Sequence, residues 1–210
     1  MGEKQQRKTS WCNAANIITF MRFVFMPLII VFYLLPDTAG GYGKLIAMIL
    51  FAVAAFTDFL DGFIARRFNM VTDLGKLLDP IADKTLTFLG FLLIFTDVSL
   101  IGTLYPVWFA IVIFFIATLR DYITNALRQM AALKNKVMAA DWAAKIKSTF
   151  QYIGISLAMF YAFALVSINM SGTLETVLKW ITCGFLIISA VLSIISGISY
   201  IRTYRLWNQE

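Results

Sequence analysis

The chain has 210 residues, 60% of them hydrophobic and only 14% charged, with a mean hydropathy of +0.78. Soluble domains are about 45–50% apolar and about 25% charged, so a water-soluble globule is excluded. The net charge of +6 is scattered between apolar runs rather than gathered on one module, which fits the positive-inside bias of membrane proteins and argues against a nucleic-acid partner.

There is no histidine, which removes His-based acid/base chemistry and His-ligated metal. The two cysteines, Cys12 and Cys183, form no CxxC pair and suggest neither a disulfide framework nor a zinc site.

A membrane span needs about 20 mostly apolar residues, and six segments qualify: 17–35, 44–66, 77–95, 105–133, 148–166 and 174–200. The expected fold is therefore an all-α integral membrane protein with six transmembrane helices. It forms a single membrane domain over 1–210, with the bundle at 17–203. The first run is too long for a signal h-region and no A-x-A-like site follows it, so it is expected to stay as an anchor. Ahead of it, residues 1–16 form a polar N-terminus in which Lys8 to Asn16, with Trp11, fits a short interfacial helix.

Basic residues set the orientation. Lys4, Arg7 and Lys8 precede the first span, Arg66, Arg67 and Lys76 follow the second, and Lys134, Lys136, Lys145 and Lys147 follow the fourth. Arg202 and Arg205 follow the sixth, whereas the alternate connections have only Lys44 and Lys179 near their span ends. Both termini are thus expected on the cytoplasmic side. The fourth span, helical over 105–133, would be about 40 Å long and should project its end with Arg120, Asp121 and Arg128 beyond the hydrocarbon.

The acids are concentrated. Four of the twelve lie at Asp58 and Asp61, ending the second span, and at Asp79 and Asp83, opening the third. Charges at the edge of an apolar region are expensive and point to function. The i, i+3 and i, i+4 spacings put each pair on one helix face, and an antiparallel pair of helices would bring all four to one depth. Four adjacent carboxylates repel unless a cation joins them. Oxygen ligands without His or Cys favour Mg²⁺ or Mn²⁺, and two ions clamping a phosphoryl group is the expected arrangement. Gly62 and Gly75 leave room for a substrate to approach the backbone. The competing reading has Arg66, Arg67, Lys76 and Lys84 neutralise the acids with no metal.

Asp58, Asp61, Gly62, Ala65, Arg66, Gly75, Asp79 and Asp83, at these offsets, resemble the signature of the CDP-alcohol phosphatidyltransferases, and the six-span layout extends the resemblance over nearly the whole chain. The resemblance implies a six-helix membrane fold, commonly a homodimer, whose active site opens to the cytoplasm, in a bacterial inner membrane. It implies that Asp58, Asp61 and Asp79 hold the metals, with Asp83 completing the second site and acting as general base. Gly62, Ala65, Arg66 and Thr72 would contact the CDP part of the donor, CDP-diacylglycerol.

The acceptor is decided elsewhere. Asn16, Thr19 and Arg22, followed by Pro27, resemble the opening of the family's phosphatidylglycerophosphate-forming branch; they either cap and anchor the first helix or contact the donor. The stretch from Arg120-Asp121 to Arg128, and then from Ala139 to Thr149, resembles the same branch. It departs from the branch where Asp121 replaces a Glu and Ala144 a Gly. Arg120, Thr124 and Arg128 share a helix side, and with Lys145 and Lys147 they suit the phosphate of glycerol 3-phosphate. The alternative for these cations is a loop facing anionic membrane lipids. Two other functions remain: a cardiolipin synthase of the same signature using phosphatidylglycerol, and a multi-span cation transporter. A transporter would be expected to show repeated halves with acids near the midplane, and neither is found.

Overall fold

A computed structural model describes residues 14–36, 41–67, 73–133, 142–168 and 172–207, with side chains at 19–36, 41–58, 81–131, 146–168 and 172–205. The described residues form six helices and no named strand. These are α1 (Ala14–Tyr33), α2 (Tyr42–Arg67), α3 (Asp73–Thr96), α4 (Val107–Leu133), α5 (Trp142–Ser167) and α6 (Thr173–Trp207). The expected interfacial helix before α1 falls largely outside the described residues.

Each helix matches one expected span, but several run past the apolar window. α3 begins at Asp73 and α5 at Trp142, several residues before their apolar runs, and α6 continues through Arg202 and Arg205 to Trp207. An apolar window reports the hydrocarbon slab, whereas a helix persists while its backbone bonds continue. In α6 no glycine or proline follows the last apolar turn. Glu175 in the first turn and Arg205 in the last also suit the helix dipole.

α5 lies inside the bundle, against α2, α3 and α6; α1 packs on α2 and α3, and α4 on α3 and α6. A side chain at Gly90 of α3 would meet Phe51 of α2 at 2.7 Å and Ile155 of α5 at 2.8 Å. Glycine there lets α3 seat between its neighbours. Phe51, Leu86, Ile94, Ile155, Met159 and Leu186 are fully buried in this seam.

The exterior is apolar. Trp108, Ile111 and Phe115 on α4 and Ile195 and Ile198 on α6 are exposed, while Arg22, Thr124, Lys147, Gln151 and Ser193 are buried. That inside-out pattern suits lipid rather than water. Among the described residues, 107–131, 146–167 and 173–205 are long and apolar enough to cross a membrane; 19–33 is apolar but shorter. The protein is an all-α membrane protein, with six helices among the described residues.

Candidate active site

α2 and α3 run antiparallel through a short connection, so the end of α2 and the start of α3 meet at one end of the bundle. Asp58 lies on α2, 28% exposed, and receives Arg22 Nη1 of α1 on Oδ1 at 2.5 Å. Arg22 is fully buried. Its pairing with an acid 36 residues away gives it a partner that the sequence pattern, which marks Arg22 beside the buried Thr19, does not name.

Asp83 lies on α3, ten residues past the helix start. Tyr152 of α5, one position past Gln151, donates its hydroxyl to Asp83 Oδ1. Tyr152 thus ties α5 to the acid-bearing face of α3. Asp83 Oδ2 receives no hydrogen bond among the described residues. Asp61, Gly62, Ala65 and Arg66 lie on α2 and Gly75 and Asp79 on α3 by backbone, but their side chains are outside those described. The same holds for Asn16 on α1 and Lys145 on α5, and Thr72 is outside altogether. Among the described residues no group of three or more acidic or thiol ligands gathers; of the quartet, only Asp58 and Asp83 are represented there.

Beside Asp83 opens a cavity of about 220 Å³ walled by three helices. Each contributes side chains at helical repeat: Asp83, Lys84 and Thr87 from α3; Arg120, Asp121, Thr124, Asn125 and Arg128 from α4; Lys147, Ser148 and Gln151 from α5. Arg120, Arg128 and Lys147, expected on the acceptor's phosphate, thus reach one chamber. Four cations face two carboxylates there, which leaves the chamber positive.

Three of the four cations are held in place. Lys147 donates to both oxygens of Asp121 at 2.8 Å, and Arg120 Nη1 to Oδ1 at 2.9 Å. α6 braces the arginines from behind: Arg120 Nη2 donates to Ser196 Oγ and Arg128 Nη2 to Tyr200 Oη. The two guanidinium carbons lie 5.7 and 5.1 Å from the Tyr200 ring centre, within cation–π range. Sequence reasoning missed Tyr152, Gln151, Ser196 and Tyr200. Only Gln151, one turn beyond Lys147, carried a spacing signal.

The sequence profile described as CDP-alcohol phosphatidyltransferase matches residues 12–196. The chain belongs to this family. It is 32% identical over 192 residues to a Mycobacterium tuberculosis protein named "Probable phosphatidylglycerophosphate synthase", covering 90% of this chain and 80% of that one. It is also 33% identical over 146 residues to the Escherichia coli K12 protein named CDP-diacylglycerol–glycerol-3-phosphate 3-phosphatidyltransferase, covering 69% of this chain and 75% of the relative. A Salmonella choleraesuis protein of the same name is 32% identical over 146 residues, with the same coverage of both chains. CDP-alcohol phosphatidyltransferases generally depend on a divalent metal. The donor set of this chain fits one: oxygen ligands, no histidine, and an Asp83 oxygen without a hydrogen bond at a cavity wall.

Proposed function

We propose that the protein transfers the phosphatidyl group of CDP-diacylglycerol to glycerol 3-phosphate, giving phosphatidylglycerophosphate and CMP. The observation that carries this reading is the single chamber in which Asp83 faces Arg120, Arg128 and Lys147. It pairs a candidate base with a cationic wall, which is what a phosphorylated alcohol needs. The names of the relatives support the same acceptor.

Asp58, Asp61, Asp79 and Asp83 would hold two divalent ions, Mg²⁺ or Mn²⁺, on α2 and α3. When bound, such ions stabilise negative charge on the departing CMP phosphate. The protein's own groups do the rest. Arg120, Arg128 and Lys147, with Lys145 nearby on α5, hold the acceptor phosphate; phosphoryl transfer depends chiefly on such positioning. The acceptor hydroxyl attacks the β-phosphorus as Asp83 takes its proton, and the bond to the CMP oxygen breaks. Tyr152 fixes the Asp83 carboxyl by one oxygen, leaving the other for this task. Gly62, Ala65, Arg66, Thr72 and Gly75, with Asn16 and Thr19, contact the donor.

The site faces the cytoplasm, since the basic residues concentrate on that side of the chain's topology. The enzyme works as a homodimer in a bacterial inner membrane. CMP release measured with purified protein, Mg²⁺ and CDP-diacylglycerol tests the reading. Release on adding glycerol 3-phosphate is expected; release only with phosphatidylglycerol, inositol phosphate or serine would overturn the acceptor.

A further inference from the structure

We propose that Thr124 and Gln151 form a hydroxyl-reading subsite that selects a phosphorylated vicinal diol over a phosphorylated simple alcohol. This rests on the acceptor reading above and adds which part of the acceptor, beyond its phosphate and attacking hydroxyl, is recognised.

Most charged groups of the chamber have partners: Lys147 and Arg120 on Asp121, Arg128 on Tyr200, and Asp83 on Tyr152. Two buried neutral groups do not, among the described residues. Thr124 and Gln151 are 3% and 2% exposed, yet Thr124 Oγ1 and Gln151 Nε2 have no hydrogen-bond partner among the described residues. Buried polar atoms are paired in the great majority of cases, so two orphans from two helices on one cavity wall call for a ligand. Arg120 Nε is a third orphan on the same wall.

Their chemistry is complementary to a hydroxyl. Gln151 Nε2 can only donate, whereas Thr124 Oγ1 can accept. A hydroxyl between them takes the amide hydrogen on its oxygen and gives its own hydrogen to the threonine. A phosphate has no hydrogen to give once ionised, and it already has the cations. Thr124 stands one turn from both Arg120 and Arg128, and Gln151 one turn from Lys147. The subsite therefore lies beside the phosphate-binding wall, in the same chamber as Asp83. A middle hydroxyl, between the phosphorylated carbon and the attacking one, belongs in that position.

A site built to bond a hydroxyl can reject an analogue without it by 10⁴–10⁵. Here the chamber of about 220 Å³ has room for a water, which needs about 30 Å³, to take the missing group's place. The expected discrimination is accordingly smaller, about 100-fold.

The test compares glycerol 3-phosphate with 3-hydroxypropyl phosphate, which keeps the phosphate and the attacking hydroxyl. CMP release gives kcat/KM for wild type, Thr124→Val, Gln151→Met and Thr124→Ser, each as the full chain in detergent. Wild type should prefer the diol by about 100-fold, and Thr124→Ser should keep that preference. Thr124→Val and Gln151→Met should bring the ratio below about 10-fold, the loss falling mainly on the diol. Equal use of both acceptors by wild type would overturn the subsite alone. So would variants that weaken both acceptors by one factor, as phosphate contacts or packing residues would. Wild type that ignores both phosphomonoesters but uses phosphatidylglycerol would overturn the acceptor reading, and the subsite with it.

Discussion

Lys44 of α2 and Asp97, just past α3, meet at 3.1 Å at the end of the bundle opposite Asp83, each side chain only 8% exposed. Asp97 Oδ2 also receives Tyr33 Oη at 2.8 Å, and Oδ1 receives the Ser99 amide at 2.8 Å and the Ser99 hydroxyl at 2.6 Å. Four donors fill the four lone-pair sites of one carboxylate, with one cation for one acid. The Asp83 chamber, walled by α3, α4 and α5, is built differently. Cations outnumber acids there and, among the described residues, an Asp83 oxygen, Thr124 Oγ1 and Gln151 Nε2 have no hydrogen-bond partner. A closed cluster ties the α1, α2 and α3 ends together. The open one leaves buried polar atoms that the proposed acceptor would complete. Burial of charge alone does not separate structure from function in this bundle; the count of unmet hydrogen bonds does.

The largest expected effect breaks the open cluster at its base. Asp83→Asn keeps an oxygen for the Tyr152 hydroxyl but removes the proton acceptor. CMP release should fall about 10³-fold while the thermal midpoint changes little. Turnover within 10-fold of wild type would remove Asp83 as the base.

Breaking the closed cluster should do the reverse. Lys44→Met leaves the Asp97 charge buried without its cation, and breaking a buried pair costs about 3–5 kcal/mol. The thermal midpoint in detergent should drop by many degrees, while kcat per folded molecule at low temperature stays at the wild-type value. A variant that lost kcat and kept its midpoint would show that the two ends are not independent.

Acid sharpens the same comparison. Burial alone would raise the Asp97 pKa, but the Ser99 and Tyr33 hydrogen bonds and the Lys44 charge outweigh it and hold the carboxyl below its ordinary 3.8. A carboxyl depressed on folding adds stability that is complete above its unfolded pKa and is lost as pH falls through the folded value. Wild type should therefore keep this contribution at pH 5 and lose it below 3.8. The midpoint gap between wild type and Lys44→Met should narrow over that acid range, because a neutral Asp97 no longer needs the lysine. A gap that widened as pH fell would reverse the assignment.

How much of this was legible beforehand follows from what one side chain can signal alone. Asp58, Asp83, Arg120, Arg128 and Lys147 stand out because a charge in an apolar chain has few reasons to be there. Lys44 stood out too, as a rare cation on the side with few basic residues, although its partner Asp97 did not. Neutral polar residues signal nothing by themselves. Tyr152, Ser196 and Tyr200 look like any helix residue until the fold sets α5 and α6 against α3 and α4, and Gln151 has only its one-turn spacing from Lys147. The Arg22–Asp58 pair was hidden by distance along the chain, since the acids of α2 have nearer cations in sequence at Arg66 and Arg67. The helices themselves were read well in number and less well at α3, α5 and α6, where charged turns extend them past the slab.

The smallest expected effect tests how tightly α6 fixes the open cluster's arginines. A Cβ at Gly197 would lie 3.2 Å from Arg120 Cγ, a few tenths of an ångström closer than ordinary contact. Gly197→Ala sits between Ser196, which accepts from Arg120, and the turn leading to Tyr200, which both guanidiniums face. The arginine stem is flexible and α-helix formation favours alanine by about 1 kcal/mol, so stability should hold or rise slightly. The strain should instead shift the guanidinium, raising KM for glycerol 3-phosphate about 2- to 5-fold, since hydrogen bonds between ionised groups depend strongly on geometry. KM for CDP-diacylglycerol should not move, because Arg120 faces the acceptor side. An unchanged acceptor KM would mean that Asp121 alone sets Arg120, and that the α6 brace serves packing rather than the site.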